Sequence, residues 1–165
     1  MNAATLFRFW PVLILSIVFL FPSTVFIVDE TNQVVITRLG EYRRTLRNPG
    51  LKLKIPILEQ ANIFEKRILT SGALPTEYLT LDKKRLVADH VTRWKIVDPL
   101  LFYKTVRDLS GAKARLDDIV FPEMRRELAS HDFSKIIASE RENIMDTIAG
   151  NARKQAEKFG IELVD

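Results

Sequence analysis

Three patterns of hydrophobic and polar residues follow one another along the chain. From Phe9 to Val28 no residue carries a charge, and only Pro11, Ser16, Pro22, Ser23 and Thr24 interrupt the apolar run. At about 1.5 Å rise per residue such a helix reaches roughly 30 Å, the thickness of a bilayer's hydrocarbon. The second pattern is a period-two alternation, punctuated by turn residues, that lasts to Val97. The third recurs at steps of three and four and runs to Phe159. This order predicts an N-terminal transmembrane helix, an antiparallel strand-rich half and then amphipathic helices, an α+β fold.

Within the second pattern, "QVVITRL", "EYRRTL" and "LKLKIPI" read as strands, with Gly40 and Asn48-Pro49-Gly50 as turns between them. Pro56 favours an edge or an irregular crossing. "ANIFEKRILTSGALP" and "EYLTL" supply further extended candidates. In "RLVADHVTRWKIV", Leu86, Ala88, His90, Thr92, Trp94 and Ile96 share the more apolar face, and Val87, Asp89, Val91, Arg93, Lys95 and Val97 the other. That is one half-buried strand with the even face inward. Asp98 then offers an N-cap oxygen and Pro99 a preset helical φ, opening "LLFYKTV" as a helix.

In the third pattern Ser110 can cap a helix whose stripe is Leu116, Ile119, Val120, Met124 and Leu128, with Lys113, Arg115, Arg125 and Arg126 off it. Pro122 predicts a kink. Ser139 and Glu142 form an S-x-x-E capping box before Ile144, Ile148, Ala152, Ala156 and Phe159. Gly160 stands in the stop position, and "IELV" starts another strand.

Charge orients the apolar segment. Arg8 and the terminal amine precede it and Asp29 and Glu30 follow it, so the N-terminus is expected in the cytoplasm with the remainder translocated. Trp10 sits where an interfacial aromatic belongs, and Phe19 and Phe26 are further anchor residues. A cleaved signal peptide is the alternative, but the apolar stretch is long and "PSTVF" lacks a small-x-small cleavage pattern. The division is therefore 1–8 as a short cytoplasmic N-terminus, 9–28 as the anchor, and 29–165 as one modest domain.

A net charge of +4 over 165 residues is too mild to point to nucleic acid, and Lys83 to Arg85 read as a solvated hairpin turn. The absence of cysteine excludes disulfides and thiol chemistry. His90 and His131 are too far apart in sequence for a ligand-spaced motif, and Asp117 and Asp118, as helical neighbours, point to different faces. Ser110 and Ser139 precede amphipathic helices and lie in no G-x-S-x-G elbow, so capping outweighs nucleophilic roles. Ser130 beside His131 says nothing about geometry. The six glycines are dispersed and cradle no phosphate. No catalytic, cofactor-binding or metal-binding residue is expected, and no cofactor. An interaction scaffold at the membrane is the reading; a membrane-bound hydrolase with an unrecognised site is the alternative.

The pieces "VDETNQVVITRLGEY", "NPGLKLKIP", "LTLDKKRLVADHVTRWKIVDPLLFY", "EMRREL", "SERENIMDTI" and "FGIELVD", in this order behind an anchor, resemble the band 7 family, also called SPFH (stomatin, prohibitin, flotillin, HflK/C). The resemblance covers nearly the whole chain. It implies a membrane-anchored, oligomerising scaffold in the bacterial inner membrane with a periplasmic band 7 domain. The implied partners are the lipid bilayer, an HflK-like band 7 protein and an FtsH-like membrane AAA protease that the scaffold modulates. Members continue past the strand that "GIELVD" opens into a long charged helix that builds a cage. The domain is therefore expected to be incomplete at its C-terminus, a fragment or a truncated paralogue, and to assemble weakly as a monomer or low oligomer.

Overall fold

The computed structural model describes residues 24–165, which fall into two compact units divided between Phe64 and Glu65. In the first unit, β1 (Val25–Val28) pairs antiparallel with β4 (Gly50–Leu53), matching Val28 to Gly50 and Val25 to Leu53. β2 (Asn32–Arg38) runs between β3 (Glu41–Leu46) and β5 (Glu59–Glu65). Leu39 and Gly40 both have positive φ, 51° and 88°, which gives the β2–β3 hairpin the twist its strands need. Val28, Val34 and Ile36 are the buried centre, with Phe26, Leu46 and Ala61 packed on them.

β1 corrects the expected anchor. Val25 to Val28, Phe26 included, form a strand rather than the last turn of a membrane helix. β-branched and aromatic side chains suit a pleated surface, and β4 supplies the ladder. The rest of the expected anchor, Trp10 and Phe19 with it, lies outside the described residues. Among the described residues no helix is long and apolar enough to cross a membrane.

In the second unit, β7 (Thr76–Leu79) and β8 (Arg85–Ala88) form a hairpin over the Lys83 turn, whose φ is 61°. β9 (Val91–Ile96) is the middle of a three-stranded antiparallel sheet, between β6 (Leu69–Gly72) and β10 (Ile161–Leu163). The single strand expected from Leu86 to Ile96 is thus broken at Asp89-His90, where the ladder changes partner from β7 to β6. The alternation survives the break: Thr92, Trp94 and Ile96 are buried, while Val87, Asp89, Val91 and Arg93 are exposed.

Three helices cover this unit. Asp98 caps α1 (Pro99–Thr105), accepting from Leu100 N at 3.0 Å and Leu101 N at 3.1 Å. α2 (Leu109–Ala129) runs unbroken through Pro122 and buries Leu116, Ile119, Val120, Met124 and Leu128. Its cap is Asp108, which accepts from Gly111 N at 2.7 Å, so Ser110 falls inside the first turn instead of at the cap. Asp and Ser cap equally well, and the one with β-region backbone at the boundary takes the role. A π-helical turn (Lys135–Ser139) precedes α3 (Arg141–Ala156). Glu140 N–H is spent on Lys135 O at 3.0 Å, so α3 starts one residue late, with Glu140 and not Ser139 at its N-cap position. Glu142 then sits at the second helical position rather than the third that a capping box needs, and its charge there complements the helix dipole. Replacing Asp98 by Ala should cost about 0.5–2 kcal/mol in urea unfolding, and Ser110→Ala less than about 0.5 kcal/mol. Equal losses at both positions would contradict this cap assignment.

Candidate functional site

Three layers of the second unit converge beside β9. The even face of β8 and β9 points inward, α2 contributes Val120, Met124 and Leu128, and α3 contributes Met145, Ile148 and Ala149. Together they line an open, largely apolar groove of about 570 Å³, a size typical of specific ligand pockets. Asp89, Arg141, Asp146 and Asp165 also line it. Buried Glu123 on α2 fixes the two helices at their spacing: Gln155 of α3 donates to it at 2.9 Å, and Arg126 pairs with it. Neither Glu123 nor Gln155 carries a sequence signal, because the bond joins positions 32 apart.

His90 sits at the β8–β9 corner of this groove. Its ring meets Phe121 edge-on with centroids 5.2 Å apart, and Nε2 stands 3.9 Å from Asp117 Oδ1, beyond hydrogen-bond reach. Nδ1 is buried without a partner. Burial pushes the imidazole pKa below its ordinary 6.5, against the opposing pull of Asp117 and Asp89. A histidine whose folded pKa is depressed takes up its proton more readily when unfolded. Its contribution to stability is complete above pH 6.5 and declines as the pH falls from there toward the folded pKa. An imidazole NMR titration should therefore place His90 below 6.5, and unfolding midpoints should drop from pH 7 to pH 5 by less in His90→Gln than in the parent. An elevated midpoint would sink this assignment.

Asp82 anchors the β7–β8 turn to the loop after α2. It accepts from Thr80 Oγ1 at 2.6 Å and from Phe133 N at 3.1 Å, and pairs with Lys84, whose ammonium lies 5.4 Å from the Phe133 ring centroid. These bonds, that of Thr80 first, bring the carboxyl down to about 2. At the end of the chain Arg93 pairs with Asp165, while Arg153 of α3 donates to Leu163 O at 3.0 Å and Val164 O at 3.1 Å.

The one Ser-His neighbour pair makes a different structure from a hydrolytic site. His131 Nδ1 is 2.9 Å from both Ser130 Oγ and Glu127 O. A carbonyl only accepts, so Nδ1 carries the proton and has no lone pair left for a serine hydroxyl. Ser130 Oγ donates to the same carbonyl at 2.8 Å. Both side chains thus close the C-terminal end of α2. Asp117 faces His90, whereas Asp118 is exposed and stands 3.8 Å from Arg115. Among the described residues no three histidines and acids converge as a metal site would require.

A strand-rich unit, followed by a mixed strand-and-helix unit that carries an apolar groove, makes this an α+β protein. Residues 26–165 match the family model described as SPFH domain / Band 7 family, and the chain belongs to that family. It is 31% identical over 161 residues to Protein HflC of Borreliella burgdorferi, covering 96% of this chain and 50% of that protein. Protein HflC of Haemophilus influenzae is 26% identical over 154 residues, with 87% and 52% covered. The Modulator of FtsH protease HflC of Escherichia coli K12 is 29% identical over 138 residues, with 79% and 41% covered. The chain spans about half the length, or less, of these relatives.

Proposed function

We propose that this chain is a membrane-anchored, oligomerising scaffold of the HflC kind, which together with an HflK-like band 7 partner modulates an FtsH-like membrane AAA protease. It has no enzymatic activity of its own. The observation that carries this reading is the family match from residue 26 to the last residue, joined to relatives named HflC, one of them as a modulator of FtsH protease. The proposed placement is the bacterial inner membrane, single-pass, with the N-terminus cytoplasmic and the band 7 domain periplasmic, and with the lipid bilayer as a partner.

Two features of the first unit support a bilayer close by. The uncharged segment that begins at Phe9 leads directly into β1. The same unit exposes Ile27, Leu51, Leu53 and Ile57, the last 88% accessible at a φ of 72°. Apolar side chains held outward, on β1 and β4 and at the strained Ile57, cost free energy in water and gain it against hydrocarbon. A scaffold acts by confinement: tethering in two dimensions raises effective concentration, so modest domain contacts become durable.

Native-membrane co-purification tests the reading. A tagged chain should bring down a membrane AAA protease and a second band 7 protein, and its deletion should change the half-life of that protease's membrane substrates. Peptide cleavage by the purified chain that is lost on a serine substitution, with no protease co-purifying, would replace the scaffold by a hydrolase.

A further inference from the structure

The first unit has two unlike ends. β1 runs away from Thr24, the chain turns back at 29–32 where Asn32 N donates to Asp29 O at 3.1 Å, and β2 returns. β3 and β4 repeat the excursion through the turn at 47–49. Thr24, the β2–β3 hairpin tip and the 54–58 turn therefore share one end. Two backbone bonds tie them there, Lys54 N to Thr24 O at 2.8 Å and Leu39 N to Leu58 O at 3.2 Å. The turns of the far end are polar, with Asp29, Glu30, Arg47 and Asn48. At the near end, where the uncharged sequence from Phe9 arrives, they present Leu39, 79% exposed at a φ of 51°, and Ile57 beside it. A turn under no other demand takes glycine or asparagine at positive φ. A leucine and a β-branched isoleucine there carry both backbone strain and exposed apolar surface, which marks the tip as a site of function.

Charged side chains flank these two apolar tips. Arg38 ends β2, and Arg43 is the extra residue where the β2–β3 register shifts, so both line one open cavity of about 490 Å³ with Leu39, Glu41 and Tyr42. Arg38, Glu41 and Arg43 are exposed and make no ion pair among the described residues. We propose that this cavity holds the headgroup of an aminophospholipid of the bilayer: Arg38 and Arg43 take its phosphate, Glu41 its ammonium, and Leu39 and Ile57 enter the acyl layer. Guanidinium groups meet a phosphate with paired, charge-assisted N–H bonds. Glu41 supplies the selection. Its carboxylate repels a bare anion and finds no cation in a glycerol headgroup, whereas a primary ammonium donates to it. Choline brings the charge without an N–H. Long arginine stems reach from the level of Leu39 back to the phosphates, and Tyr42, 41% exposed, is the amphipathic ring that a membrane interface favours.

This inference rests on the membrane-anchored placement proposed above and deepens it, and two readouts on the full chain keep their failures apart. The chain has no cysteine, so single-cysteine spin labels report depth without background. In reconstituted vesicles, labels at Leu39→Cys and Ile57→Cys should collide more with oxygen than with a water-soluble nickel chelate, and a label at Asn48→Cys should do the reverse. The second readout is native mass spectrometry of the chain released from nanodiscs of phosphatidylethanolamine, phosphatidylglycerol and phosphatidylcholine in equal parts. Phosphatidylethanolamine should be retained about tenfold over either of the others. Retention should fall stepwise as its nitrogen is methylated, because each methyl group removes a donor. Glu41→Gln should erase the preference over phosphatidylglycerol, and Arg38→Gln combined with Arg43→Gln should lower retention of every phospholipid about tenfold, with circular dichroism and label depths unchanged. Labels at 39 and 57 that sit in water would overturn the placement and the site together. Labels in the acyl layer with equal retention of the three lipids, or a preference untouched by Glu41→Gln, would overturn the site and leave the placement standing.

Discussion

Replacing Gly160 by Ala should destabilise the second unit by about 3 kcal/mol or more, the largest effect expected of any single methyl group in the chain. Gly160 ends the 3-10 turn after α3 with φ at 73°, a region that costs other residues free energy. A Cβ there would also lie 2.5 Å from Asp98 O and 3.0 Å from Phe102 N, both backbone atoms of the first turn of α1. Those atoms cannot swing aside, because Asp98 O holds Phe102 N at 2.9 Å, and Val97 N and Asp98 N both donate to Gly160 O. An asparagine at this position separates the two causes. Asn tolerates left-handed backbone but carries a Cβ, so Gly160→Asn should lose nearly as much as Gly160→Ala in denaturant titrations in detergent micelles. A mild Asn variant would mean that backbone conformation alone sets the cost and that the close approach to α1 is accommodated.

Gly160 also shows what the chain reveals to a reader of its sequence. A glycine after a 3.6-period stripe signals a helix stop, and that signal is local. So are the parity of Leu86 to Ile96 and the stripe of α2, each of which the structure reproduces residue by residue. What failed was decided by partners distant in sequence. Asp89-His90 interrupts a strand that looks continuous, because the neighbour in the ladder changes from β7 to β6 there. Phe26 belongs to a strand because Lys52 lies opposite it, although its own surroundings are uniformly apolar. Ser110 and Asp108 are equally good caps in isolation, and only the observed φ and ψ choose between them. The groove was invisible for the same reason. Its walls come from β8, β9, α2 and α3, which only the folded chain brings together.

The second large effect belongs to the corner that Gly160 closes. Phe102 on α1 is fully buried and stacks on Trp94 of β9, with ring centroids 6.4 Å apart and planes inclined by 22°. Phe102→Ala removes an aromatic ring from a packed interior and should cost about 3–5 kcal/mol. Trp94 behaves differently, because its Nε1 is buried with no hydrogen-bond partner. Trp94→Phe forfeits packing area but also removes an orphaned donor whose burial carries a penalty of about 1–3 kcal/mol. The two terms oppose, and the net change should stay below about 1.5 kcal/mol. A double-mutant cycle with Trp94→Ala and Phe102→Ala should give a coupling of about 0.5–1.5 kcal/mol for the stacked pair. Trp94 is also the residue of β9 that pairs with Leu69 on one side and Leu163 on the other. Loss of Phe102 should therefore speed amide exchange along β10 before it does so in β7 and β8, where the ladder is separate. Uniform exchange across these three strands would show that the corner and the hairpin unfold as one unit.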